Sequence, residues 1–308
     1  MRTISVSAPG SIMLMGEHSV LSGEQAIACA VNKYIHVGLI PRDDDEVRIE
    51  SALALHQTRL RQIKSHPALT FVMAAISQLE RSLPAGFDLT IESEFSHTVG
   101  LGSSAAVTAA VVSALHAYAQ LPMDTDALFD RALAVVHEVQ QGRGSGTDLV
   151  ASIQGGLVAY RVAPRTIRAL SGLPQLGLYY AGYKTPTPEV LKRVESEAQL
   201  FPALYRSLYR LMGQVTEEAI TAIEQQHWSA VGRLMNTYQG LLDALGVNDA
   251  ALSEMVYQLR QDQAVQGAKI SGSGLGDCVV TLGAAPVLQW YEQIPVGISE
   301  RGVTVEYH

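Results

Sequence analysis

Hydrophobic positions along this 308-residue chain recur with two periods, which predict strands and helices in the same protein. Short apolar runs bounded by turn residues are typical of β-strands. In the first hundred residues they read TISVSA, SIMLM, AIACAV, YIHVGLI, VRIES and FDLTIESEF. Apolar residues at helical spacing predict a helix across residues 66–82.

Two further helices are predicted after the last of these strands. The run VTAAVVSALHAY predicts a helix that buries most of its surface, and the heptapeptide GLGSSAA (residues 100–106) stands directly before it. The segment DTDALFDRALAVVHEVQQ predicts an amphipathic helix that begins at a capping Asp124 or Asp126.

The sequence pattern changes after residue 162, where Pro164, Gly172 and Pro174 indicate a boundary around residues 162–175. We therefore divide the chain into residues 1–165 and 166–308. The second part begins with a strand, GLYYAGY, and continues with long helices to about residue 260. It closes with KISGSGLGDCVV, a helix and a terminal strand, GVTVEY. Because strands and helices mix without regular βαβ alternation, the predicted class is α+β.

Composition narrows the class of function. A hydrophobic content of 47% with 17% charged residues is typical of a globular rather than a disordered protein. The formal net charge of −8 gives no general support for nucleic-acid binding. Cys29 and Cys278 show no CxxC spacing, which excludes a cysteine zinc site and a disulfide framework. With no signal peptide and no run of about 20 apolar residues, we expect a cytoplasmic protein that does not associate with a membrane.

Three segments are rich in Gly and Ser yet adjoin apolar structure. Their sequences are SAPGSIMLMGEHSVLSGEQAIA, GLGSSAA and KISGSGLGDCVV. Taken alone, GLGSSAA allows two interpretations: a flexible turn with a serine cap, or an anion site at a helix N-terminus. Three such segments in one chain favour a single crevice lined by backbone.

The order of these three segments resembles the three motifs of the GHMP kinases, a family that includes galactokinase, homoserine kinase, mevalonate kinase and phosphomevalonate kinase. The Walker pattern GxxxxGK[ST] is absent. Within the family the chain is most similar to the mevalonate kinases, through GEHSVL and LLDALGVNDAALSEMV. HEVQQGRGSGTDLVAS and the GDC at 276–278 are more similar to phosphomevalonate kinases. The resemblance implies an N-terminal lobe like ribosomal protein S5 domain 2 and a ferredoxin-like C-terminal lobe.

The resemblance also implies roles for individual residues, with ATP as phosphoryl donor and Mg²⁺ as cofactor. Asp148 matches the catalytic aspartate, which orients or deprotonates the acceptor hydroxyl; its alternative is a helix N-cap. Ser104 matches a Mg²⁺ ligand, and Glu138 resembles a second metal carboxylate. The residues that would hold the nucleotide are Gly100, Leu101, Gly102, Ser103, Ser104, Ala105, Gly272, Ser273 and Gly274.

On the acceptor side, Glu17 and His18 match substrate-binding residues of the mevalonate kinases. Ser11 departs from the family, because a Lys or Arg stands at the corresponding position in mevalonate kinases and galactokinase. Arg143, as first candidate, or Lys184 would then supply the missing positive charge.

The predicted function is ATP-dependent phosphorylation of the 5-hydroxyl of mevalonate to 5-phosphomevalonate in isoprenoid synthesis. Two alternatives stay open: phosphomevalonate kinase or another GHMP small-molecule kinase, and a nucleotide-binding relative with weakened catalysis. The expected partner is a small molecule, and the resemblance leaves room for a homodimer.

Overall fold

The computed structural model describes residues 2–96 and 99–308, which form two β-sheets and the helices packed on them. The strands are β1 (Ile4–Met15), β2 (Ala26–Pro41), β3 (Glu46–Ser51), β4 (Leu55–Arg59), β5 (Phe87–Ser93), β6 (Leu157–Arg161), β7 (Thr166–Leu170), β8 (Leu176–Lys184), β9 (Val265–Ser271), β10 (Gly276–Gly283), β11 (Glu292–Ile294) and β12 (Thr304–Tyr307). The helices are α1 (Thr70–Leu79), α2 (Ser103–Tyr118), α3 (Thr125–Val139), α4 (Thr147–Gln154), α5 (Thr187–Leu200), α6 (Pro202–Glu224), α7 (Trp228–Ala244) and α8 (Ala250–Leu259). Three short 3₁₀ turns cover Ser19–Ser22, Pro67–Leu69 and Glu80–Ser82.

The first sheet has the order β12-β1-β2-β5-β3-β4, with β6 paired to β2 and β7 to β6. All its pairings are antiparallel except β3 with β5. Helices α2 and α4 pack on β1 and β2, and α1 and α3 pack on α2. The last strand returns to this sheet, where Tyr307 pairs with Ile4. Strands on both sides of residue 165 therefore share the first sheet, and the domain division at that residue stays a prediction.

The second sheet is antiparallel throughout, with the order β11-β8-β10-β9. Helix α7 packs on β9, α6 on α7, and α8 on β9 and β10. The long strand β1 contributes to the apolar cores of both lobes. Val6 and Ala8 lie in the core of the first lobe, whereas Ile12 and Leu14 lie in the core of the second. This shared strand fixes the two lobes against each other.

The α+β class predicted from the sequence is confirmed. The capping role of Asp124 is also confirmed, because its carboxylate accepts a hydrogen bond from the Ala127 amide at 3.0 Å. The helix expected after KISGSGLGDCVV is wrong. Residues 284–303 contain the short strand β11 and an isolated bridge from Ile298 to Val31, because Glu292–Ile294 pairs with β8 at the edge of the second sheet instead of forming a helix. Among residues 2–96 and 99–308, no helix has both the length and the apolar character needed to cross a membrane.

Candidate active site

A cavity of about 910 Å³ lies between the two lobes. All three Gly- and Ser-rich segments contribute to its wall, as the sequence predicted for a single crevice. Its volume is in the range of small-molecule sites. Its lining includes Ser11, His18, Gly102, Ser104, Asp148 and Lys184.

Helix α2 begins at this cavity with its first-turn amides uncapped by any side chain. The N-cap residue is Gly102, whose φ of 63° lies in the left-handed region that favours glycine. A Cβ on Gly102 would overlap the Ser11 hydroxyl, so the close approach of β1 also requires glycine. The serine-cap interpretation of GLGSSAA is therefore wrong, and Ser103 and Ser104 are the first two helical residues. Exposed amides at a helix N-terminus favour an anion.

Asp148 lies in the first turn of α4, where Gly146 and not Asp148 is the N-cap residue. Its Oδ1 accepts a hydrogen bond from the Ser11 hydroxyl at 2.8 Å. The carboxylate is therefore engaged across the cavity wall instead of capping its own helix. Burial raises the pKa of Asp148, and the nearby Asp277 raises it further, while the Ser11 hydrogen bond and the charge of Lys184 lower it.

Lys184, at the end of β8, brings a positive charge to the same place. Its Nζ lies 2.8 Å from Oδ2 of Asp277, a carboxylate that is only 3% exposed. Asp277 follows the turn between β9 and β10, where Gly272, Gly274 and Gly276 all have positive φ. A Cβ on Gly100 would overlap the Asp277 carboxylate. The segment before α2 therefore packs directly on the ion pair of the second lobe.

The turn after β1 presents Glu17 and His18, the two predicted substrate-side residues. Glu17 is buried, with Oε1 2.5 Å from the Nζ of Lys269. Nε2 of His18 lies 3.0 Å from the Ser273 carbonyl oxygen, so Nε2 carries the proton and Nδ1 is an acceptor. That Nδ1 is buried and has no partner in the described part of the chain. Burial also lowers the pKa of His18, so its ring is neutral near pH 7.

Three predicted residues do not line the cavity: Leu101, Gly274 and Glu138. Leu101 is completely buried in the apolar core of the second lobe, and Gly274 packs closely on the Val247 backbone. Glu138 is exposed on α3, where its Oε2 accepts a hydrogen bond from Nε2 of Gln78 at 2.7 Å, and it is not among the residues that line the cavity. The Glu138 side chain therefore faces α1, on which Gln78 lies. Among residues 2–96 and 99–308, no group of three or more His, Cys, Asp or Glu side chains is placed to hold a metal. Arg143 lines the cavity from the exposed turn between α3 and α4.

Three residues at or behind the site were given no role by the sequence analysis: Tyr238, Lys269 and Asp277. Lys269 gave a local signal, since it interrupts the apolar strand GAKIS and is completely buried. Asp277 stood within a quoted motif, but its partner Lys184 lies 93 positions earlier. Tyr238 gave no signal, because it occupies a core position of an amphipathic helix and differs from other core aromatic residues only in what its hydroxyl meets.

Comparisons with known proteins fit this geometry. Residues 70–156 match the model of the GHMP kinases N terminal domain, and residues 219–289 match that of the GHMP kinases C terminal domain. Mevalonate kinase of Aeropyrum pernix is 30% identical over 289 residues, which cover 91% of this chain and 89% of the relative. The crystal structure of L. major mevalonate kinase in complex with R-mevalonate superposes with a TM-score of 0.75 at 20% identity, covering 96% of each chain. Streptococcus pneumoniae phosphomevalonate kinase in complex with phosphomevalonate and AMPPNP superposes with a TM-score of 0.76 at 19% identity, covering 94% of this chain and 99% of that one.

Proposed function

This chain belongs to the GHMP kinase family, and from that premise we propose that it transfers the γ-phosphoryl group of ATP to the 5-hydroxyl of mevalonate. The product is 5-phosphomevalonate, an intermediate of isoprenoid synthesis. The observation that carries the proposal is that one cavity joins the uncapped start of α2 to Asp148 and to the Glu17–His18 turn. This cavity has an anion-binding end, a proton acceptor and an acceptor-binding end.

In the proposed reaction, the acceptor oxygen attacks the γ-phosphorus as the bond from that phosphorus to the β,γ-bridging oxygen of ATP breaks. The hydroxyl proton passes to the carboxylate of Asp148, and ADP leaves. The Ser11 hydrogen bond holds one oxygen of Asp148 at a fixed position, which leaves Oδ2 to face the acceptor. A raised pKa makes this carboxylate a better proton acceptor than an ordinary surface aspartate.

The phosphate end consists of the α2 amides together with the turn between β9 and β10. Ser273 lines the cavity there, and its hydroxyl oxygen is buried without a partner in the described residues, so it fits a phosphate oxygen. Mg²⁺ prefers a few protein oxygens plus substrate phosphates, and the Ser104 hydroxyl, at the start of α2 in the cavity wall, would supply one of those oxygens. When bound, the ion would neutralise charge on the transferring group.

Lys184 is the better supported source of the charge that Ser11 lacks. It lines the cavity and lowers the pKa of Asp148, and its ion pair with Asp277 holds it in place. Arg143 also lines the cavity but sits on an exposed turn. An ammonium fixed beside the proposed base stabilises both that carboxylate and the charge that builds up on the phosphoryl group.

Phosphomevalonate kinase is the alternative, because the chain is also similar in fold to such an enzyme. A phosphorylated acceptor needs cations for its phosphate. Among the described residues that line the cavity, the Lys and Arg side chains are Arg143 and Lys184, and Lys184 is already paired. So few positive charges favour mevalonate, which carries one negative charge, over phosphomevalonate as the acceptor.

The deciding experiment measures ADP release, coupled to NADH oxidation, with mevalonate, phosphomevalonate, galactose and homoserine as acceptors. We expect kcat/KM for mevalonate to exceed the others by at least about 100-fold, since a matched acceptor fills the polar end of the cavity. A preference for phosphomevalonate would replace the proposal with the alternative. ATP binding without turnover of any of the four would favour the relative with weakened catalysis.

We also propose a homodimer and a cytoplasmic location. The two unpaired, buried cysteines support the location, because such thiols suit a reducing compartment. Sedimentation of the purified protein tests the dimer.

A further inference from the structure

The turn that presents the acceptor-side residues belongs to the first lobe but is held by the second. Tyr238 on α7 is completely buried, and its hydroxyl meets this turn in three hydrogen bonds. It accepts from the Gly16 amide at 3.0 Å and donates to the Glu17 carbonyl at 3.0 Å. The Ser19 hydroxyl lies 3.2 Å away. Because the single phenolic proton goes to Glu17, Ser19 is the donor in its own contact with Tyr238.

Lys269 on β9 holds the same turn through the Glu17 side chain. Its Nζ lies 2.5 Å from Glu17 Oε1, also contacts the Ile270 carbonyl, and stands 5.5 Å from the centroid of the Tyr238 ring. Burial raises the pKa of Glu17 and lowers the pKa of Lys269, and the contact between them opposes both shifts. Removal of one partner from a buried ion pair strongly destabilises the fold, because it leaves the other charge buried and unpaired.

His18 stands between the two clamped residues in a backbone conformation that needs support. Its φ is 62° and its ψ is −50°, a region that a non-glycine residue occupies only when its surroundings impose it. Its ring is fixed from the second lobe as well, through the Ser273 carbonyl. Tyr238, Lys269 and Ser273 of the second lobe therefore all make hydrogen bonds to the turn that contains this strained residue.

We propose that Tyr238 and Lys269 are positioning residues that hold the Gly16–Ser19 turn in its strained conformation, so that His18 faces the acceptor. Acceptor affinity then depends on the contacts of Tyr238 and Lys269 with this turn, whereas the hydrogen bonds of these two side chains do not involve the α2 amides at the nucleotide end. This inference rests on the proposed function only for the identity of the acceptor. Turnover of mevalonate by the wild-type enzyme is measured first and tests that function by itself. The clamp is then tested with whichever acceptor the wild-type enzyme uses.

The first test compares Tyr238→Phe with Tyr179→Phe. Tyr179 is also completely buried in the second lobe, but its hydroxyl donates to the Pro286 carbonyl, away from the turn. We expect Tyr238→Phe to raise the KM for the acceptor about tenfold, because buried groups of the turn lose their partner. The KM for MgATP should stay within about twofold of wild type, since α2 is untouched. Tyr179→Phe should leave both values unchanged.

The second test addresses Lys269. Lys269→Met leaves a carboxylate buried without its partner, so the double variant Glu17→Gln/Lys269→Met is made beside it to keep the protein folded. We expect the double variant to melt close to wild type and still show a raised acceptor KM. Hydrogen exchange at the amides of residues 16–19 should be faster in it and in Tyr238→Phe than in Tyr179→Phe.

The proposal is overturned if folded Tyr238→Phe leaves the acceptor KM at the wild-type value. A wild-type acceptor KM in Glu17→Gln/Lys269→Met would remove Lys269 from the positioning set. Equal rises in the KM values for acceptor and MgATP would show general loosening of the fold, and would contradict the clamp as well.

Discussion

The hydrogen bond between Ser11 and Asp148 joins β1 to the first turn of α4 at the point where chemistry is proposed to occur. A serine hydroxyl fixes the direction of the carboxylate without neutralising it. Burial then keeps the pKa of Asp148 raised, since a single neutral hydrogen bond does not offset desolvation. Burial therefore makes the ionised Asp148 carboxylate destabilise the fold, and the same burial makes it a better proton acceptor in the reaction.

We predict that Asp148→Asn loses turnover by a factor on the order of 10² or more, because the proton acceptor vanishes while the amide oxygen can still accept from Ser11. Its melting temperature at pH 7 should equal or exceed that of wild type, since a carboxylate with a raised pKa destabilises the fold when ionised. Steady-state kinetics and thermal melting measure the two effects. Near-normal kcat would remove Asp148 from the role of base.

The pH dependence of kcat/KM follows from the groups around the same carboxylate. Activity needs ionised Asp148, so it should fall as the pH drops through a pKa above the usual aspartate range. Lys184→Met removes a charge that lowers this pKa and should move the acid limb to higher pH. Asp277→Asn removes a charge that raises it and should move the limb to lower pH. Lys192→Met, an exposed change on α5 outside the cavity, is the control. Identical acid limbs in all four proteins would contradict the assignment.

At the scale of elements, helix α2 is the part that sequence predicted best. Its apolar run predicted a buried helix and the glycines before it predicted a turn, although the helix begins at Ser103, four residues before the predicted run. Both signals are local, which is why they could be read. The turn after β1 is the opposite case. Its sequence GEHS predicted acceptor-binding residues through the family resemblance. The contacts of Tyr238 and Lys269 with Glu17 span 221 and 252 positions along the chain, so they leave no local pattern in the sequence.

The start of α2 also supports a prediction that separates two neighbouring hydroxyls. Ser104→Ala should raise the Mg²⁺ concentration that gives the half-maximal rate, because a metal ligand is lost while the helix amides remain. Ser103→Ala, one residue earlier in the same first turn, is the matched control and should change the Mg²⁺ profile little. Titration of Mg²⁺ at saturating ATP distinguishes them. An unchanged profile in Ser104→Ala would leave that hydroxyl without a metal role.

At the scale of the whole molecule, the site is assembled from both lobes. The first lobe supplies the α2 amides and Asp148, and the second supplies Lys184, Asp277 and the clamp on the turn after β1. Many of the strands and helices were predictable because each carries its own apolar pattern, whereas the pairing of the strands into two sheets was not predicted. The wrong helix after residue 283 shows the limit, since this stretch is held by the pairing of the short strand β11 with β8, a contact with a distant segment that leaves no local pattern.

The assembly from two lobes predicts that the positive charge missing at position 11 is supplied from across the cavity. Lys184→Met should lower kcat about 10- to 100-fold, in the range found when one preorganised charge is removed. Lys184→Arg keeps the charge and should retain more activity. Ser11→Lys alone should give no gain, because it places a second positive charge near Lys184.

The decisive variant is Ser11→Lys/Lys184→Met, which moves the ammonium from the second lobe to β1. A lysine there starts from a position whose side chain already reaches Asp148, so the double variant should recover part of the activity that Lys184→Met loses. Arg143→Ala should keep kcat within about threefold of wild type, since Arg143 lies on an exposed turn and is not among the charges that shift the pKa of Asp148. A severe loss in Arg143→Ala, together with near-normal Lys184→Met, would assign the charge to Arg143 instead. Recovery in the double variant, by contrast, can arise only if a single positive charge beside Asp148 is what the reaction needs, whichever lobe provides it.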